Sequence, residues 1–511
     1  MSHGLAPPNP VAMSVRAARF VLPFASLALC APALCALALS GCGFDDDGPF
    51  EIAVIEGADE LYASGNRLSI GAKHLRAATE WGLVTLDADG EVVPALAERW
   101  IITDDGQSFI FRLSERNWPD GQPMDSASVR RSLERVIAGL RGTSLGLDLA
   151  PIKDVRAMAG RVVEIRLSAP VPDLLTLLAQ PELALRASPG GTGPMALSRD
   201  GALARLQFRP PLERGLPDMP GWESEVRELT LVPVHDAKAM TLFDEGEVQV
   251  VLGGRIGQIP LADTGPLSRG TVRIDPAVGL FGLRIRSGRG MLGDASLREA
   301  LAMALDRPGL LERYNVGGWQ ATTRIVAPGL PGDSGLIGER WEGEGLDQLR
   351  AAAAARVRAW QARSGEAPVV RLSLGDAPGD TNLLTDLAAQ FATIGVRLVR
   401  AERLADADLV LVDEVARYGD PRWFLNQFNC SLRRGLCNQG ADRLVAAAQG
   451  TIDHTERARL LADAESALLA ANIYVPIGAP LRWSLVRGSV TGFAPNAYAF
   501  HPLPPLAELP K

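Results

Sequence analysis

WGLVTLDADGEVVPALAERWIITDDGQSFIFRLSERNWPDGQPMDSASVRRSLER, residues Trp81 to Arg135, is the stretch whose order of elements decides the fold. A short strand over Leu83–Leu86 runs into the turn Asp87-Ala88-Asp89-Gly90 and then into Pro94-Ala95-Leu96-Ala97-Glu98. Asp104-Asp105-Gly106 makes a second turn ahead of a strand over Ser108–Leu113, and Trp118-Pro119-Asp120-Gly121 makes a third. Asp125 then stands where its carboxylate can cap the next helix.

The N-terminus bears on where the chain works. Arg16 and Arg19 precede an apolar run, Phe20 to Leu39, that ends in Leu39-Ser40-Gly41-Cys42, the form of a lipoprotein signal peptide. In that reading residues 1–41 are removed, Cys42 carries the lipid, and 42–48, with three aspartates, form a polar tether; the alternative is a simple membrane anchor, because the run is long enough to span a bilayer. Removing residues 1–41 takes away Arg16 and Arg19 and no acids, which moves the net charge from −8 to −10 and argues against a nucleic-acid partner. About 470 residues remain, enough for large cores and about three domains. Cys30 and Cys35 leave with the signal peptide, so Cys430 and Cys437 form an even pair that an oxidising compartment turns into a disulfide, worth about 2.5 kcal/mol by loop closure. A metal pair is the competing reading, but it lacks nearby ligands, His454 being the nearest histidine in sequence.

The order of turns and strands in the opening stretch strongly resembles family 5 of the extracellular solute-binding proteins, the peptide- and nickel-binding receptors of ABC importers. Further matches follow in the family's order: Leu174 to Gln180 with Gly191-Thr192-Gly193-Pro194; Val232 to Val250; Asp294 to Leu301 with Ala304-Leu305-Asp306-Arg307; Ile394-Gly395-Val396; and Asp453 to Pro476. The resemblance implies an α/β, two-lobed periplasmic-binding-protein fold (type II, cluster C-like) with an extra subdomain. Residues 49–75, 190–276 and 482–511 would form lobe I, 76–189 its subdomain, and 277–481 lobe II. The hinge is expected near Ala277–Leu283 and Trp483–Arg487. Also implied are a peptide or peptide-like solute bound between the lobes, ABC permease and ATPase subunits as partners, a monomer lipid-anchored in the periplasm through Cys42, and no cofactor or metal. The competing class is a receptor-fold lipoprotein with a sensing, chaperone or assembly role.

In peptide-binding relatives an extended ligand pairs with a strand that matches the segment Asp408 to Pro421 here, followed by Phe424-Leu425-Asn426, and an aspartate of that segment holds the ligand's α-amino group. The expected ligand-binding residues are therefore Asp413, Glu414, Val415, Ala416, Arg417 and Tyr418. Arg417 occupies the aspartate position and cannot pair with an ammonium. Either it grips a carboxylate or phosphate through two parallel hydrogen bonds, or it is a structural arginine paired with Asp413 on the same strand face. Glu414 would take over the acidic role only across a bulge, because it projects from the opposite face. Arg284, Arg286 and Arg289 read either as an anion-favouring rim or as ordinary surface arginines.

Two strings suggest an enzyme and neither carries one. Gly332-Asp333-Ser334-Gly335 resembles a serine-protease string but continues with Leu336, and no histidine sits in a matching context. Gly288 to Gly293 fits the dinucleotide pattern, yet Asp294 would cap the next helix and repel a pyrophosphate.

Overall fold

The computed structural model describes residues 50–63, 65–186, 190–262 and 270–510. The expected signal peptide, residues 1–41, and the whole expected tether, 42–48 with Cys42, lie outside them. No described helix is long and apolar enough to cross a membrane.

Two main sheets organise the chain into two lobes. The first has seven strands in the order Val272–Asp275, Arg482–Val486, Val250–Gly254, Phe50–Ile55, Leu229–Val234, Leu203–Phe208 and Met195–Asp200. The second has five, in the order Arg397–Arg400, Val369–Ser373, Leu409–Val415, Gly279–Ile285 and Tyr474–Gly478. Gly279–Ile285 is buried along its whole length, as an apolar strand covered on both faces should be. Residues 84–167 add the hairpin Val84–Leu86 with Val92–Pro94 and a four-stranded sheet, Ala97–Ile102, Ser108–Leu113, Val162–Leu167 and Ile152–Ala157. The apolar residues of this part run on into Tyr418, Trp423 and Phe424, so its core is continuous with that of the second lobe.

The turn chemistry of the opening stretch is formed. Gly90 and Gly121 take left-handed φ values of 83° and 82°, and Asp125 caps the helix Ser126–Gly139 by accepting from the Ser128 amide at 2.7 Å. Gly191 and Gly193 mark a close approach, because a Cβ on either would lie 1.8 or 2.5 Å from the Thr79 carbonyl group. Thr192 fixes the contact by accepting from the Trp81 amide at 2.8 Å.

Between the two main sheets the described chain crosses twice, at Pro276–Val278 and Ala479–Leu481. The second crossing corrects the sequence expectation. Trp483–Arg487 is not a connector: residues 483–486 are paired within the first sheet, where Trp483 opposes Gly254 and Ile274. Gly254 is needed there, since a Cβ would fall 2.4 Å from the Trp483 ring.

Candidate functional site

Between the two main sheets lies a cavity of about 380 Å³. The second lobe contributes Asp413 to Arg417, and the first contributes Gly253–Arg255 and Arg482–Ser484. Helix Ile70–Thr79, capped by Ser69, presents Lys73 and His74 while burying Leu75 and Ala78. Thr143–Leu145 and Gln180–Glu182 close one side and Tyr498–His501 another.

The Leu409–Val415 strand has an open flank. On one side it pairs with Gly279–Ile285 over its full length. On the other it pairs with Val369–Ser373 only through Leu409 and Val410. Among the described residues no strand pairs with Leu411–Val415 on that side, so about 16 Å of backbone at 3.3 Å per residue is free to meet an extended chain.

The six expected ligand residues behave differently from one another. Asp413 does not pair with Arg417; its Oδ1 accepts from Arg482 Nη1 at 2.7 Å and its carbonyl from Nη2 at 2.9 Å. The strand-face rule fails because regular pairing stops at Val415 and Arg417 lies beyond the strand. Glu414 is 3.8 Å from Arg434. Val415 opposes Gly279, and the buried Ala416 donates its amide to the Val278 carbonyl at 2.7 Å. Tyr418 does not line the cavity; it is fully buried and its hydroxyl donates to Asp148 Oδ1 at 2.9 Å.

Arg417 reaches across to residues that local sequence did not single out. Its Nη2 is 3.5 Å from Glu182 Oε1, its Nη1 is 3.5 Å from Ser144 Oγ, and its Nε has no partner among the described residues. Lys73 approaches the same Glu182 oxygen at 3.9 Å, while Glu182 Oε2 is left buried without a partner. Burial works against the Glu182 charge, but Lys73 and Arg417 outweigh it and hold the carboxyl below its ordinary range. Burial lowers the Lys73 pKa; Glu182 opposes this, and Arg417 and Arg255 add to it. The cluster therefore sets two basic side chains against one acid, with an unused donor on Arg417 and an unused acceptor on Glu182.

Other wall residues hold the frame. Arg482, 6% exposed, ties the first sheet to Asp413 of the second. His501 lies 3.3 Å from Asp275, and its amide donates to His74 Nε2 at 3.3 Å. Burial pushes His74 down to about 3, so it is neutral at physiological pH. Cys430 and Cys437 are bonded, with Cα atoms 5.2 Å apart, and brace the loop that carries Arg434. Arg289 is paired with Asp408 at 3.0 Å and Arg286 bonds the Leu404 carbonyl, whereas Arg284 is buried without such partners. In the two enzyme-like strings, Asp333 is bound to Arg324 and Gly288–Gly293 is a loop and a short 3-10 turn before the Asp294 cap. Among the described residues no group of three His, Cys, Asp or Glu side chains is arranged to hold a metal ion.

Comparison with known proteins gives concordant matches. Residues 91–434 match the family model of bacterial extracellular solute-binding proteins, family 5 middle. The chain is 24% identical over 482 residues to the probable di/tripeptide-binding protein 5 of Pseudomonas aeruginosa, covering 81% of this chain and 87% of that protein. It is 22% identical over 463 residues to the periplasmic oligopeptide-binding protein OppA of Salmonella typhimurium, covering 81% and 83%. The crystal structure of Haemophilus influenzae OppA in complex with RPPGFSPFR superposes with a TM-score of 0.76 at 17% identity, covering 91% of this chain and all of that one.

Proposed function

The chain belongs to the bacterial extracellular solute-binding proteins of family 5, binding proteins rather than enzymes, and from that premise we propose that it captures a peptide or peptide-like solute between its lobes for an ABC permease and ATPase. The observation that carries the reading is the unpaired flank of Leu411–Val415, a backbone ladder that an extended amide chain can complete whatever its side chains. The names of relatives that bind di-, tri- and oligopeptides support it.

Arg417 sets the end group. With a guanidinium where a free α-amino group would otherwise be held, the solute presents an anionic or blocked end there, and the free Nε–H donates to it. A second reading has its own observation: the unpartnered Glu182 Oε2 offers an acceptor to an amine entering from the other side. Native mass spectrometry of the chain beginning after Cys42 tests both, by identifying a co-purifying solute that denaturation releases. Arg417→Ala should then weaken binding of an acidic or blocked solute at least about tenfold, roughly 1.4 kcal/mol. Unchanged affinity would sink the anionic-end reading, and loss of an amine-bearing solute in Glu182→Gln would favour the second.

The same proposal places the protein in the periplasm as a monomer anchored through lipid on Cys42, with residues 49–75, 190–276 and 482–511 as one lobe, 76–189 as its subdomain and 277–481 as the other lobe. Cys42→Ser should release it from membranes into the soluble fraction.

A further inference from the structure

Arg284 stands on the Gly279–Ile285 strand and is only 6% exposed. Its guanidinium lies over Phe428, 5.3 Å from the ring centroid. Among the described residues, its Nε and Nη2 have no hydrogen-bond partner. These nitrogens share one edge of the guanidinium, the edge that can donate two parallel hydrogen bonds to a carboxylate. Burial lowers the Arg284 pKa, Glu414 opposing and Arg434 adding to the fall. A buried cation with an empty fork destabilises a fold that gains nothing from it.

The place of this edge gives it a purpose. Arg284 lines a second cavity of about 490 Å³, bounded by Leu374–Ala377, Asp380 and Val410–Glu414, which shares Arg255, Asp413 and Glu414 with the first. In register it opposes Val410, the residue at which the second flank of the strand loses its partner. Arg255 apart, the charged residues of the remaining wall are acidic. Asp413 is held by Arg482, Asp236 accepts from Gln258, and Glu414 faces Arg434, but Asp376 and Asp380 stay close by. Burial and the neighbouring Asp413 push Asp380 up to about 6. Such a wall repels a polyanion and tolerates one carboxylate on an otherwise neutral or cationic chain.

We propose that Arg284 is a second recognition site, which holds a single carboxylate of the solute at the Val410 end of the open ladder, away from Arg417. The inference rests on the reading of the cleft as a peptide-like site and narrows the solute to a short extended chain with one free carboxylate and a blocked opposite end.

The test uses the chain from residue 43 onward, which keeps all strands of the described sheets, as wild type, Arg284→Met and Arg417→Met. Each is titrated calorimetrically with N-acetyl-tetraalanine and with its C-terminal amide, and each is melted without solute. Wild type should prefer the acid at least about tenfold, and Arg284→Met should reduce that preference below about threefold. The ligand-free melting temperature of Arg284→Met should rise by about 1–3 °C, because methionine keeps the packing on Phe428 and removes an unpaired charge. A fall in melting temperature overturns the proposal by showing that Arg284 is structural. An acid preference that survives Arg284→Met but vanishes in Arg417→Met also overturns it, while leaving the cleft reading intact. Wild type that binds acid and amide equally overturns the carboxylate site alone; wild type that binds neither overturns it together with the cleft reading.

Discussion

Arg417 and Arg422 stand five residues apart on one segment and are held in opposite ways. Arg422 is 3% exposed, and its Nε donates to the Tyr418 hydroxyl at 3.1 Å. That hydroxyl donates to Asp148, which also accepts from Asn426 at 2.7 Å, and Asp420 accepts from the Arg422 amide at 2.8 Å. Burial opposes the Arg422 charge, yet Tyr418, Asp148 and Asp420 hold its pKa above the usual value. Arg417 has two contacts at 3.5 Å and a nitrogen without a partner. A cation whose charge is balanced inside a buried network belongs to the fold; one with a buried donor left unpartnered, facing a cavity, is available to something else.

The contrast can be broken most forcefully at Arg422. Arg422→Ala strands Asp148 and Tyr418 in the core and should cost about 3–5 kcal/mol in urea unfolding. A loss under 1 kcal/mol would show that this network is no more structural than the Arg417 contacts. The next largest effect is pH-dependent. Asp148 ordinarily titrates near 3.8, and burial pushes it up to about 6, with Arg422, Asn426 and Tyr418 opposing. The folded chain therefore holds the proton more tightly than the unfolded one. This stabilisation is fully present below 3.8 and is lost as pH rises to about 6, by an amount on the order of 3 kcal/mol. Asp148→Asn should flatten that part of the stability–pH curve, although the similarly raised Asp173 and Asp380 will leave a remainder. Tyr418→Phe removes one hydroxyl from the network and should cost about 1–2 kcal/mol. Arg417→Ala should change stability by no more than about 1 kcal/mol, even as it weakens solute binding. A destabilisation as large as that of Arg422→Ala would erase the distinction.

Much of the fold was readable because its signals are local. The turn glycines, the Asp125 and Asp294 caps and the Ser108–Leu113 strand each depend on a few neighbouring residues. Of the six residues expected to bind ligand, Asp413 to Arg417 line the cavity and Tyr418 does not. The partners of this segment were not legible in the sequence. Glu182, Lys73 and Arg482 reach the segment from distant parts of the chain, and no spacing rule links them. The Asp413–Arg417 pairing failed on a local point, because alternation of faces holds only while the strand continues and this one ends at Val415. Arg284 was legible as a residue, but its vacancy is a property of packing: it is buried on a strand with two nitrogens unpartnered, whereas Arg289 is exposed and paired with Asp408.

The ion pair between Arg482 and Asp413 sits directly beside the Ala479–Leu481 crossing. Any rotation of one lobe about the two crossings moves an atom in proportion to its distance from that axis. A bond placed at the fulcrum is scarcely stretched by the swing, however strong it is. The energy that decides between an open and a shut cleft must therefore come from contacts farther from the two crossings, such as those a solute makes when it bridges the lobes.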